Sequence, residues 1–162
     1  MPSVVTHSRS ALYDLVLLAH VLAVVVALVV LALAGASAWR LAQVPEGVAL
    51  PEVLARYYRP GINWAGRMLM AVPVFGIALM ALSQGDWTYS DAWVTVGFAL
   101  WFVAAGVAEA VIWPAERLLQ ASVAGTDPDV DRVARARTVV RWSVAVEVLL
   151  VVTSVLMVVK PG

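Results

Sequence analysis

The chain has 162 residues, of which 62% are hydrophobic and 14% are charged, and its formal net charge at neutral pH is zero. Soluble domains carry about 25% charged residues, so a chain this apolar cannot bury its apolar surface in the core of one soluble domain of this size. A net charge of zero gives no indication that the chain binds nucleic acid. The absence of cysteine excludes disulfides, thiolate metal sites and cysteine nucleophiles. The composition predicts an integral membrane protein whose first partner is the lipid bilayer.

The first apolar stretch runs from about residue 12 to residue 39. Between Leu15 and Ala38 it carries no charge, and its one ionisable group is His20. A bilayer core requires about 20 apolar residues in a helix, and irregular backbone cannot face lipid because its polar groups would lack partners. The stretch therefore predicts a transmembrane helix with one polar group inside it.

Three more apolar stretches follow, at about residues 62–83, 92–113 and 138–159. Pro73 lies in the middle of the first of these and is expected to kink that helix, because proline has no N–H to donate. Pro114 follows the end of the next, and a polar helical extension can continue beyond it.

The connecting segments carry further helix signals. Pro51 begins a short interfacial helix after the first span, and Thr126 or Asp127 is expected to cap the helix that leads into the last one. The sequence thus predicts an all-α membrane protein with a single domain, residues 1–162. That domain is an up-down-up-down bundle of four transmembrane helices with a short interfacial helix.

Arginines predict the orientation of the bundle. The loop between the second and third spans holds no lysine or arginine, whereas the segments after the first and third spans hold eight arginines: Arg40, Arg56, Arg59, Arg117, Arg132, Arg135, Arg137 and Arg141. The positive-inside rule places these arginines in the cytoplasm. We therefore expect both termini outside.

Four ionisable residues fall within the predicted spans: His20, Arg67, Glu109 and Glu147. A charge at the bilayer centre costs about 2.5–3.5 kcal/mol on insertion scales, so these groups require partners. Arg67 and Glu109 lie at similar depths, and we expect them to form an ion pair facing the bundle interior. The alternatives are an Arg67–Glu147 pair, or an Arg67 side chain that extends to lipid phosphate.

Glu147 shares one helical face with Ser143 and Ser154. With Arg67 and Glu109, these residues make up a predicted intramembrane polar cluster. The stripe can form hydrogen bonds between helices, or it can line a cavity for protons, a quinone headgroup or a metal.

His20 has three possible roles: a hydrogen-bonded structural residue, a ligand of haem b or a metal, or a group in proton or quinone chemistry. The chain's other histidine, His7, lies in the N-terminal tail, so two histidines of one chain are not expected to ligate a haem in the membrane. No Gly-rich phosphate loop, nucleophile elbow or HExxH motif occurs, and the sequence favours a protein that is not an enzyme.

Several short motifs resemble an uncharacterised bacterial family of integral membrane proteins, domain of unknown function 2269. They are Leu-Ala-His20-Val-Leu-Ala, Asn63-Trp64, Trp113 and the C-terminal Leu156-Met157-Val158-Val159-Lys160-Pro161. This resemblance implies a four-span fold in a bacterial inner membrane and implies no known chemistry. The Leu-x-x-His pattern is also similar to copper-resistance and protoporphyrinogen-oxidase-like membrane proteins, in which such a histidine serves haem or a metal.

Three functions are consistent with the sequence. The first is a small accessory, interaction or structural subunit that forms a homo-oligomer or joins a larger membrane complex. The second is a redox protein that binds haem, a metal or a quinone at His20. The third is a small proton-coupled transporter that uses Glu109 and Glu147.

Overall fold

A computed structural model describes residues 11–45, 47–127 and 129–160 of the chain. His7 and Pro161, which the sequence analysis singles out, lie outside these residues. The helices are α1 (Ala11–Ala42), α2 (Glu52–Tyr57), a 3₁₀ helix (Gly66–Met70), α3 (Ala71–Leu82), α4 (Ala92–Val107), a π-helical turn (Ala108–Ile112), α5 (Trp113–Val123) and α6 (Arg132–Val159). No strand occurs in the described part of the chain, so the fold is all-helical.

Within these residues, three helices are long and apolar enough to cross a membrane: Ala11–Ala42, Ala92–Val123 and Arg132–Val159. The remaining apolar segment, Gly66–Leu82, is shorter. Large aliphatic side chains are exposed along α1 and α6, among them Leu15, Leu22 and Val148. Such wide apolar surfaces are uncommon on soluble monomers and are the surfaces that a lipid environment accommodates.

Helix α1 packs on α6 along one side and on α3 along another, while α4 and α5 pack on α6. Small side chains allow the close approach. A Cβ atom placed on Gly35 of α1 would lie 3.6 Å from Cβ of Ser143 in α6, and one placed on Gly97 of α4 would lie 3.0 Å from Cε of Met157. Glycines therefore allow α6 to approach α1 and α4 closely.

Gly97 provides a test of this packing. We expect Gly97→Leu to destabilise the fold by about 1–3 kcal/mol, because the added atoms must displace Met157 and Thr153 from a filled contact. The matched control is Gly106→Leu in the same helix, since nothing lies within 4 Å of a Cβ atom at Gly106. Denaturation in detergent micelles measures both variants, and an equal loss in the two would contradict the packing.

Both mid-helix prolines lie next to a departure from α-helical geometry. Pro73 follows the 3₁₀ helix, and Pro114 follows the π-helical turn. In that turn the Trp113 N–H donates to the carbonyl of Ala108, five residues earlier, which widens the helix locally. The helix continues to Val123 and does not end at Trp113.

Helix α6 begins later than its predicted cap. Asp131 is the N-cap residue, and its Oδ1 accepts a hydrogen bond of 2.9 Å from the Ala134 N–H. Thr126 Oγ1 donates instead to the carbonyl of Ala121 at the end of α5. The prediction of a cap at Thr126 or Asp127 is therefore wrong, because the side chain that reaches the first turn belongs to Asp131.

Candidate functional site

Arg67 joins the 3₁₀ helix to the π-helical turn. Its Nη1 lies 2.9 Å from Oε2 of Glu109, so the ion pair expected from the sequence is present. Its guanidinium also lies 3.6 Å above the ring centre of the buried Trp113. The side chains of Arg67 and Glu109 are 33% and 59% exposed. The pair consequently lies at the edge of the bundle and not in its interior, where it was expected.

A second carboxylate lies two helical turns beyond Glu109. Glu116 is only 7% exposed, and its Oε1 accepts a 3.0 Å hydrogen bond from the hydroxyl of Tyr57 in α2. Sequence reasoning placed Glu116 in the polar extension beyond Pro114 and did not count it as a site residue, because it lies outside the predicted span. The spacing of seven residues from Glu109 places both carboxylates on one face of a continuous helix, and this is the signal that could have found it.

We refer to Arg67, Glu109, Trp113, Glu116 and Tyr57 as the boundary cluster. The cluster fastens the short helix α2 and the 3₁₀ helix to α5. A narrow cleft of about 50 Å³ adjoins it, with Asn63, Arg67 and Glu116 in its wall. Its side chains hold one positive and two negative formal charges, and a second arginine, Arg117, lies in the wall of the same cleft.

Tyr57 and Tyr58 pack edge to face, with ring centres 5.0 Å apart. Burial raises the pKa of both hydroxyls above their usual range, and the negative charge of Glu116 raises both further. The Tyr58 hydroxyl is buried without a hydrogen-bond partner among the described residues. Of the two phenols, only Tyr57 therefore contributes a hydrogen bond to the cluster.

This difference predicts unequal effects for two similar substitutions. Tyr57→Phe should cost about 1–3 kcal/mol, because it leaves a buried carboxylate oxygen without its donor. Tyr58→Phe should cost little, because its hydroxyl has no described partner to lose. Chemical denaturation at pH 7 distinguishes the two outcomes, and equal losses would contradict the assignment.

The same pair predicts a loss of stability in alkali. The folded state holds the two phenol protons more tightly than the unfolded chain does. The stabilisation is therefore complete below pH of about 10 and is lost as the pH rises above that value. Thermal denaturation between pH 8 and pH 11 should show a shallower fall in the Tyr57→Phe/Tyr58→Phe variant. The variant Tyr89→Phe, altered at an exposed ring, is the control.

His20 is buried between α1 and α3. Its Nδ1 lies 3.0 Å from the carbonyl oxygen of Val72 and donates to it, and a Cβ atom placed on Gly76 would lie 3.5 Å from its Cε1. The histidine thus joins α1 to α3, and Gly76 leaves room for its ring because it has no side chain. In the described part of the chain, no group of three His, Cys, Asp or Glu side chains could hold a metal ion.

The polar stripe of α6 lies apart from the boundary cluster. Ser143 is buried beside Gly35, with no described partner for its hydroxyl, and Ser154 donates to the carbonyl of Leu150 in its own helix. Glu147 is half-buried. In the described residues it makes no ion pair with Arg67, whose carboxylate partner is Glu109. The structure therefore brings together Arg67 and Glu109 of the predicted cluster and does not join the α6 residues to them.

Comparison of the chain with protein-family models, with curated proteins and with solved structures finds no match. Its own geometry therefore carries the functional interpretation: polar contacts that fasten helices together, and a charged cluster where two short helices meet a long one.

Proposed function

We propose that the chain is a four-span protein of a bacterial inner membrane that acts as a small accessory or interaction subunit. The boundary cluster supports the short helix α2 and the 3₁₀ helix with which its second span begins. The resemblance to the domain of unknown function 2269 family belongs to this proposal, as does the up-down-up-down order of the spans.

The short segment Gly66–Leu82 is the span that requires an argument. It combines 5 residues of 3₁₀ helix with 12 residues of α-helix. Because a 3₁₀ helix rises about 2.0 Å per residue against about 1.5 Å in an α-helix, this segment reaches roughly 28 Å. That length approaches the thickness of the hydrocarbon core, about 30 Å. The 3₁₀ start therefore supports a crossing for which the same number of residues in an α-helix would be too short.

The proposed orientation has the termini outside and the arginine-rich segments in the cytoplasm. Aromatic and cationic contacts support one part of it, namely that the C-terminal end of α6 and the loop before α4 lie on the same side. Lys160 Nζ lies 3.8 Å from the ring centre of Trp87, and Trp87 packs edge to face on Trp93. The C-terminal end of α6 and the loop before α4 therefore meet at one interfacial aromatic belt.

The observation that carries the proposed function is that the polar groups inside the fold form contacts between segments that are distant in the sequence. Each of the following contacts joins one segment to another: His20–Val72, Trp101–Leu69, Arg67–Glu109, Tyr57–Glu116 and Arg132–Val44. Polar groups paired in this way fix the positions of the helices relative to one another. A rigid bundle with wide apolar faces suits a subunit that is recognised by another membrane protein or by a second copy.

Photo-crosslinking in intact membranes tests this function. A photoreactive residue is placed at exposed positions of α1 (Leu22) and of α6 (Val148), one at a time. A subunit should give a discrete protein adduct from one face, identified by mass spectrometry as a second copy or a partner, whereas the other face should give lipid adducts. Lipid adducts alone from both faces would overturn the proposed function.

Haem binding at His20 is the second candidate function, because the Nδ1 bond to Val72 leaves Nε2 without a proton and able to ligate. We expect His20→Ala to lower stability by roughly 2–3 kcal/mol through the lost hydrogen bond and the space left behind. We also expect the purified wild-type protein to show no Soret band. A Soret band that His20→Ala abolishes would establish the redox function instead.

A further inference from the structure

A groove runs between the C-terminal half of α1 and the short helix α2. Its volume is about 690 Å³, and its wall includes Leu33, Arg40, Val53, Arg56 and Tyr57. The wall is graded along α1. Leu33 lies seven residues before Arg40, which is about 10 Å along the helix axis. An apolar floor thus leads up to a basic rim.

Two arginines, Arg40 and Arg56, lie in the rim. No described residue forms a hydrogen bond or ion pair with the Arg40 side chain, whereas Arg56 bonds to Glu52 at 3.1 Å across one exposed helical turn. Such an exposed pair holds its partners weakly, so Arg56 remains available to a second anion. The three charged side chains of the rim carry one net positive charge.

We propose that this groove is a binding site for the headgroup of an anionic phospholipid. The phosphate lies between Arg40 and Arg56, which donate to its oxygens. An acyl chain follows Leu33 toward the bilayer core. The single net positive charge complements the single negative charge of a phosphodiester lipid, and a zwitterionic lipid would bring a second cation to the same rim.

The apolar part of the groove favours a lipid over free phosphate. An inorganic phosphate has no group to place against Leu33 and Val53, and it would occupy a small fraction of about 690 Å³. Helix α2 also joins the groove to the boundary cluster, because Tyr57 lines the groove and donates to Glu116. A bound lipid would consequently hold α2 against α1 next to the cluster.

Native mass spectrometry of the full chain in detergent tests the proposal by titration with phosphatidylglycerol, phosphatidylcholine and inorganic phosphate. The test variant is Arg40→Gln/Arg56→Gln. The matched control is Arg135→Gln/Arg137→Gln, which removes two exposed arginines of α6 that do not line the groove. Charge-assisted hydrogen bonds from two guanidinium groups to one phosphate correspond to a combined factor of about 30 in affinity. We expect the test variant to lose about 30-fold in phosphatidylglycerol affinity and the control to lose less than about 3-fold, because its arginines do not line the groove.

Equal losses in the two variants, or equal binding of phosphatidylcholine, would overturn the site. Competition by inorganic phosphate at millimolar concentration would identify a free-phosphate site instead. The proposal rests on the membrane placement of the chain, which carbonate extraction of the same variants measures separately. Extraction of the protein into the soluble fraction would contradict the membrane placement. If the protein stays in the membrane but the test and control variants bind phosphatidylglycerol equally well, only the groove proposal is contradicted.

Discussion

Replacing Trp101 with phenylalanine is expected to destabilise the fold by about 2–4 kcal/mol, through one lost hydrogen bond and the volume of the missing ring. Pro73 has no N–H, so the carbonyl of Leu69, four residues earlier, lacks its helical donor. The Nε1–H of Trp101 lies 2.9 Å from that oxygen and donates to it. In an apolar surrounding, a carbonyl left unpaired costs several times what it costs in water.

A second background separates the hydrogen bond from the ring volume. In Pro73→Ala the new N–H can bond to the Leu69 carbonyl, so Trp101→Phe should cost only its packing loss there. Unfolding in mixed micelles, followed by circular dichroism at 222 nm, gives the double-mutant cycle. We expect a coupling of about 1–2 kcal/mol. An identical cost of Trp101→Phe in both backgrounds would show that the indole does not replace the proline's missing donor.

Removing the guanidinium of Arg67 should have the second large effect. Arg67→Met is expected to cost about 2 kcal/mol, because it removes the cation stacked on the buried Trp113 and also removes the positive charge that attracts Glu116. Glu109→Gln should cost at most about 1 kcal/mol, because the Glu109 side chain is more than half exposed and water screens its pair.

The contrast between these two variants shows which contact of Arg67 contributes most to the stability of the cluster. We expect Arg67→Lys to recover less than half of the loss, since an ammonium group cannot lie flat on an indole while it also reaches a carboxylate. In a Glu116→Gln background, Arg67→Met should cost measurably less than it does alone. A cost for Glu109→Gln as large as that for Arg67→Met would place the energy in the ion pair and contradict this assignment.

Local signals in the sequence predicted the helices and one of the contacts. Long apolar stretches predicted helices around His20 and around Glu147, and equal depth predicted the meeting of Arg67 with Glu109. These inferences succeed because the hydrophobic length of a segment and the depth of a charge within it can be read from that segment alone. The predicted burial of the ion pair failed, since the face that a helix turns inward depends on its neighbours.

Features that depend on several segments were not visible in the sequence. A helical extension beyond Pro114 was expected, but the π-helical turn before this proline and the hydrogen bond between Tyr57 and Glu116 were not. The order of packing, with α3 against α1 and α4 against α6, follows from where small residues such as Gly97 meet their partners. Short loops between consecutive spans predict neighbours, and they do not predict which pairs share the closest contact.

The central claim is that four segments cross the membrane, including the short Gly66–Leu82. Because the chain contains no cysteine, single cysteines at Val48, Ser90 and Thr126 can be labelled with an impermeant maleimide without background. The account predicts that Ser90→Cys reacts from outside the cell, whereas Val48→Cys and Thr126→Cys react only in inverted vesicles. Labelling of Val48→Cys and Ser90→Cys from the same side would show that the short segment does not cross and would contradict the four-span account.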